Sequence, residues 1–361
     1  MLRHRRVAAL YKKQRLRRSV ALQGNSRKAR TNVSRHSYNR TVLFQNPSSG
    51  RAAEAARILI RQRLSAVVGQ VDEVVVEPGV ALIERAQQAV RDGVDLITVA
   101  GGDGTVREVA TALVGNPLPQ AIIPLGTFNN FALSLNIPSD IDRACQLLES
   151  GNLRQIDVGV ADERHYFFEA AGVGVDAELF PIGEEVKRGR FGSLWSAVRL
   201  SLSRSQTSVR LSFDRPVHEA YRHSFRGQKP LKRRRRRFKK ALRTVKLRCW
   251  FVVACNGPYY GGNFAVYPGA LLEDGLLSVG VFRDFSRLEL LVHFWGISRG
   301  RYQYHPKLEI FEAAALEVSS RKRLFVHVDG HPIGTTPVRF GIIPRGLTIV
   351  APPTPMSKIS S

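Results

Sequence analysis

The sequence predicts two folded regions in series. The first is an α/β region built on a parallel sheet with flanking helices, and the second is a mainly antiparallel β-sandwich. Three observations carry this expectation. Short apolar runs alternate with helical patterns from residue 41 to residue 151, strands dominate from residue 152 to residue 351, and small or polar loops recur where the strands of the first region end. Strands alternating with helices signal βαβ units, and a strand-rich stretch after them signals a separate antiparallel layer.

Residues 41–45 (TVLFQ) read as a strand, and residues 52–64 as a helix opening just after Gly50. Residues 71–77 form a second strand, 80–91 a helix, and 96–100 a third strand ending at Gly101. Residues 106–114 are helical, 121–124 a fourth strand, and 141–149 a helix closed by Gly151. In the second region, residues 156–160, 166–170, 209–213, 247–254, 276–282, 307–311 and 325–328 read as strands. Helical patterns near 176–188, 193–204 and 286–298 interrupt them, and the tail after Ile349 reads as frayed.

Charge is concentrated rather than spread. The 361 residues hold 55 Lys+Arg and 30 Asp+Glu, a formal net charge of +25, with 43% apolar content. Residues 1–40 contain 13 Lys/Arg and no acid, residues 226–248 another 13 and no acid, and the remainder 29 basic against 30 acidic residues. The chain is therefore a near-neutral globular body with two basic appendages, which argues against a protein basic throughout. Residues 1–40 read as a basic arm, with a transit peptide or an over-extended gene start as equal readings. The 226–248 run reads as a surface loop or helical projection whose last residues enter the next strand.

Three cysteines, Cys145, Cys249 and Cys255, without a CxxC pattern, argue against a disulfide framework or a zinc site. No stretch approaches the roughly 18 apolar residues of a spanning helix, and no apolar signal region opens the chain.

The sharpest chemical feature is Gly101-Gly102-Asp103-Gly104-Thr105, between a predicted strand and a predicted helix. Glycines at such a turn let backbone N–H groups approach an anion, and the helix N-terminus adds partial positive charge. A carboxylate there repels phosphate unless a cation bridges them, so Asp103 points to a Mg²⁺–nucleotide site or a base. A plain glycine-rich turn with Asp as helix cap is the alternative. Asn46-Pro47-Ser48-Ser49-Gly50 follows the first strand, and Gly126-Thr127-Phe128-Asn129-Asn130 the fourth. In a parallel sheet these loops share the carboxyl edge, where ligands bind. Later come Asp274-Gly275 and Asp329-Gly330-His331, which read as hairpin turns or as a cation ligand and a general base. Gly172-Val173-Gly174-Val175-Asp176 is a weaker candidate for substrate contact.

In order and spacing, NPSSG, GGDGTVREV, PLGTFNNFA, GVGVDAEL, LLEDGLL and the late VDG resemble the lipid kinases of the diacylglycerol kinase catalytic-domain type, sphingosine kinases included. The resemblance spans about residues 41–351. It implies an ATP-binding α/β domain at 41–151 of NAD kinase/diacylglycerol kinase type, a lipid-substrate domain at 152–351, and a tail at 352–361. It implies ATP contacts at Asn46, Pro47, Ser48, Ser49, Gly50, Gly101, Gly102, Asp103, Gly104, Thr105, Glu108, Gly126, Thr127 and Asn129, and a substrate contact at Asp176. It further implies a structural Mg²⁺ held through Leu271, Asp274 and Leu276, and a base from the late motif. There the family's Asp-Gly-Glu reads Asp329-Gly330-His331, so Asp329, Asp103 and His331 are the catalytic candidates. Glu77 replaces a family Thr, and Asn130 stands where many relatives carry Asp.

The activity implied is ATP-dependent phosphorylation of a lipid hydroxyl, diacylglycerol to phosphatidic acid first, with a sphingoid base or ceramide as the alternative acceptor. The basic segments 1–40 and 226–248 then attach a cytoplasmic, peripheral enzyme to an anionic membrane. Competing readings are an NAD kinase-like enzyme, or an impaired binding protein whose arms grip nucleic acid. Nucleic acid is disfavoured because stacking aromatics are scarce in both arms. A homodimer is left open.

Overall fold

A computed structural model describes residues 38–49, 54–174, 205–217, 241–261, 267, 269–283, 285–286, 289 and 308–353. All of them belong to one unit, His36–Ser361. Gly50, Asp176, residues 1–37, most of 226–248 and the predicted helices at 176–188 and 193–204 lie outside the described residues, as does nearly all of 286–298.

The first region follows the expected alternation: β1 (Tyr38–Gln45), α1 (Glu54–Val67), β2 (Val68–Val75), α2 (Leu82–Arg91), β3 (Leu96–Gly101), α3 (Asp103–Leu113), β4 (Gln120–Pro124), α4 (Asn130–Ser134) and α5 (Ile141–Ser150). Strands β2-β1-β3-β4 lie side by side and parallel. Every residue of β3 and β4 is buried, as expected of parallel strands covered on both faces. Helix α2 packs against α3, and α1 against α5. Asp140 caps α5 by accepting from the Arg143 N–H at 2.9 Å.

The strands of the second region are β5 (Asn152–Ala161), β6 (His165–Phe167), β7 (Ala170–Gly174), β8 (Thr207–Val217), β9 (Leu242–Cys249), β10 (Phe251–Cys255), β11 (Leu277–Phe282), β12 (Leu308–Ala313), β13 (Ala315–Ser320), β14 (Phe325–Val328), β15 (His331–Thr335) and β16 (Val338–Ala351). Strands β12-β11-β10-β7-β14-β15 form a separate antiparallel sheet. Strands β16, β13, β8 and β9 continue the first sheet beyond β4, with β5 and β6 attached to β16. The inner faces of the two sheets share one core, with Phe167 edge-on to Phe340 at 6.2 Å between centroids and Phe213 tilted on Phe311 at 5.4 Å.

Four sequence expectations change. Residues 247–254 are two strands, because the chain leaves one sheet and enters the other at Trp250. Residues 166–170 are likewise broken, with Phe168 and Glu169 between β6 and β7. Tyr38–Arg40 begin β1 rather than end the basic arm. The stretch after Ile349 is no frayed tail at its start: Ile349 and Val350 pair in parallel with Gln120 and Ala121 of β4. As expected, the end of the 226–248 run enters a strand, β9, where Arg243, Lys246 and Arg248 are exposed. All three cysteines are buried.

Candidate active site

Strand β1 lies beside β3, yet its connection leads to β2 on one side while that of β3 leads to β4 on the other. Such a switch point opens a crevice at the carboxyl ends of the two strands. Asn46 knits its rim. Its N–H donates to the Ala100 carbonyl (2.9 Å), its Nδ2 to Thr105 Oγ1 (2.9 Å), and its Oδ1 accepts from the Ser48 N–H (2.9 Å). The loop after β4 joins through the Leu125 N–H, which donates to the Gly101 carbonyl at 2.9 Å. A Cβ on Gly126 would stand 2.6 Å from the Gly102 Cα, so this close approach of the two loops requires glycine at 126. Asn129, left-handed at φ 52°, clasps Gly126 on both sides by accepting from its N–H (2.9 Å) and donating to its carbonyl (2.8 Å). Gly104 and Thr127 are exposed on this rim, with the N-terminus of α3 behind them. Glu108 stands one turn further along α3.

Carboxyl groups from both regions meet next to this crevice. Asp103 opens α3 and accepts from the Phe131 N–H at 3.3 Å. Burial pushes its carboxyl up, the N–H groups of Phe131, Asn130 and Asn129 pull it down, and Asp329 pushes it up again. Asp329 turns its carboxylate inward: Oδ2 accepts from the Phe168 N–H (2.8 Å), and Oδ1 from those of Glu169 and Ala170 (3.0 Å each). Burial raises it, those three donors lower it, and the Arg107 guanidinium lowers it further. Glu169, only 6% exposed, accepts from Asn130 Nδ2 at 3.1 Å. Burial and then Asp103 and Asp329 hold its carboxyl well above the ordinary range.

His331 lies at the rim, exposed, with Nε2 3.2 Å from Arg107 Nη2 and Nδ1 3.0 Å from the Asp329 carbonyl. A guanidinium can only donate, which assigns the proton to Nδ1 and occupies the Nε2 lone pair. In this arrangement His331 links α3 to β15 rather than offering a free base.

Asp274 is placed elsewhere. It precedes β11 and accepts from the Leu276 N–H at 2.9 Å. Its loop is anchored by buried Asp157, whose Oδ2 accepts from the Gly275 N–H (2.6 Å) and Oδ1 from the Arg345 N–H (2.8 Å). Partial burial, followed by the charges of Asp157 and Glu312, pushes the Asp274 carboxyl up to about 6. Among the described residues no three His, Cys, Asp or Glu side chains converge on a metal-sized point.

Comparison with known proteins places this arrangement. Residues 40–161 match the diacylglycerol kinase catalytic domain, and residues 222–351 match the YegS C-terminal NAD kinase beta sandwich-like domain. The chain carries a diacylglycerol kinase catalytic domain. It is 25% identical over 325 residues to the diacylglycerol kinase of Staphylococcus aureus strain JH9, covering 87% of this chain and 92% of that protein. It is 27% identical over 272 residues to that of the bovine strain RF122, covering 74% and 78%. Among solved structures, a candidate diacylglycerol kinase from Bacillus anthracis Sterne superposes at a TM-score of 0.67 with 22% identity, over 88% of this chain and 99% of that one. A further solved structure of a diacylglycerol kinase from Bacillus anthracis Sterne superposes at 0.62 with 19% identity, over 88% and 98%. The structural likenesses establish the fold, with its α/β region and β-sandwich. Family membership supports a lipid kinase, a phosphotransferase that uses ATP.

Of the predicted site residues, Asn46, Gly101, Gly102, Thr105, Gly126 and Asn129 are brought together around the crevice, and Asp103 and Asp329 face one another electrostatically. Leu271 is exposed on the Asp274 loop. Sequence reasoning missed Arg107 and Glu169. An acid inside the apolar run YFFEAAGV was the available signal for Glu169, since an acid is seldom buried without a partner.

Proposed function

We propose that this protein is an ATP-dependent kinase of a membrane lipid alcohol, converting diacylglycerol to phosphatidic acid. The observation supporting this is the juxtaposition of a glycine-lined crevice at the β1/β3 switch point with carboxyl groups arriving from both regions. The N–H groups at the start of α3 and the clasped loops are suited to triphosphate oxygens. The lipid hydroxyl oxygen attacks the γ-phosphorus, the bond to the β,γ-bridging oxygen breaks, ADP leaves, and a carboxylate takes the hydroxyl proton. Asp103 suits that last role. It opens α3 beside the glycine-lined crevice, where the triphosphate would lie.

A hard cation suits the Asp274 loop. The carbonyls of Leu271 and Leu276 with the Asp274 carboxylate make an all-oxygen set, and the nearby charges of Asp157 and Glu312 favour a cation that offsets them. Mg²⁺ held there would stabilise the loop. The basic segments 1–40 and 226–248 would serve attachment to an anionic leaflet. None of the described helices is long and apolar enough to cross a membrane.

Radiolabelled ATP supplied with diacylglycerol, sphingosine, ceramide and NAD, with products resolved, tests the reading. Labelled phosphatidic acid is expected, with turnover about 100-fold lower in Asp103→Asn, a loss typical for a catalytic base. Label on NAD alone, or in no lipid, overturns it.

A further inference from the structure

We propose that Glu169 is a positioning residue of the catalytic cleft, bringing from the second region a carboxyl that meets Asn130 of the first. The inference rests on the lipid-kinase reading. Asn130 is buried at the first residue of α4, and its Nδ2 donates both to Glu169 Oε2 and to the Gly261 carbonyl. The side chain at 130 and the carboxyl at 169 are therefore one interaction, made across the boundary between the two regions.

The backbone of Glu169 is fixed on both sides. Its N–H donates to Asp329 Oδ1 at 3.0 Å, and its carbonyl accepts from the N–H groups of Asn256 (2.8 Å) and Gly257 (3.1 Å). The charges of Asp103 on α3 and Asp329 in the β14–β15 turn act on the carboxyl, and Arg107 acts on Asp329. A buried carboxyl beside two others is an expensive choice if it serves only to hold Asn130. A glutamine would accept the same hydrogen bond without the charge. Its acidity is what the cleft uses: one more ionisable oxygen beside Asp103, oriented by the Asn130 amide. Burial and the charges of Asp103 and Asp329 hold the Glu169 carboxyl well above the ordinary carboxylate range.

The pair predicts reciprocal rescue. Wild-type turnover on the lipid panel is read first, then Glu169→Gln, Asn130→Asp, and the double variant Asn130→Asp/Glu169→Gln. Each single change is expected to lower kcat about 10-fold while KM for ATP moves less than about twofold, the pattern of lost positioning rather than lost binding. The double variant restores the carboxyl–amide pair in reverse, and its kcat is expected to return to within about threefold of wild type. Wild-type kcat in Glu169→Gln, or a double variant no better than the product of the singles, overturns the inference. Absence of lipid product from the wild-type protein overturns the kinase reading itself, and the inference with it.

Discussion

Asp329–Gly330 joins β14 to β15 with both residues left-handed, at φ 44° and 79°, whereas Asp274–Gly275 precedes β11 with only the glycine so, at φ 75°. The dipeptide is the same, and the carboxylates carry opposite loads. Asp329 faces inward and holds three backbone N–H groups of the segment that breaks β6 from β7. Asp274 faces outward, accepts from the Leu276 N–H, and lies where Asp157 and Glu312 add like charge. One carboxylate is a part of the scaffold, and the other is left over for something outside it. A turn motif alone does not distinguish these cases. What the carboxylate meets does.

Removing each carboxylate should therefore change stability in opposite directions. The largest effect is expected for Asp329→Ala, which strands the N–H groups of Phe168, Glu169 and Ala170. At about 1 kcal/mol for each unsatisfied donor, roughly 3 kcal/mol should be lost in urea denaturation. A change below about 1 kcal/mol would mean that the segment is held by other contacts.

Gly330→Ala should cost about 1–2 kcal/mol in the same measurement, since an L side chain is strained at positive φ. An unchanged midpoint would show that the turn relaxes, and would weaken the picture of Asp329 as a rigid anchor.

The smallest effect, and the one of opposite sign, is expected for Asp274→Asn. With its carboxyl raised to about 6, the folded protein holds this proton more tightly than the unfolded chain. That contribution is complete below the ordinary carboxylate value and is lost as pH rises through about 6. Asp274→Asn should thus raise the melting temperature slightly at pH 7.5 without Mg²⁺, leave it unchanged near pH 3, and remove any increase that Mg²⁺ gives the wild-type protein. A lower melting temperature at pH 7.5 would place Asp274 in the scaffold beside Asp329.

Legibility in the sequence followed burial. Strands β1, β3 and β4 announced themselves because parallel strands covered on both faces are continuous apolar runs. The crevice loops were legible because strand ends, glycines and small polar residues recur in a fixed grammar. Strand β16 was not. Gly341, Pro344 and Gly346 disguise it, and the structure accommodates them with an irregularity between Ile343 and Leu347, pinned by Asp157 on the Arg345 N–H. The Phe168–Glu169 break was hidden for a related reason: nothing local marks a strand interrupted so that its N–H groups can serve Asp329, 159 to 161 positions away. Arg107 and Glu169 owe their place in the site to partners far away in the chain; the local pattern marks an acid inside an apolar run at 169 but not the partner it meets.

The pairing of β16 with β4 also bears on how the protein is made. Residues 338–351 supply the neighbour that covers the β4 side of the parallel strands. During vectorial synthesis the ribosome releases β1 to β4 long before that partner exists. The nascent sheet must wait with a row of N–H and C=O groups open to any passing strand. Completion of the earlier-made strands by a segment made much later makes the finished fold a record that the message was read at least through residue 351.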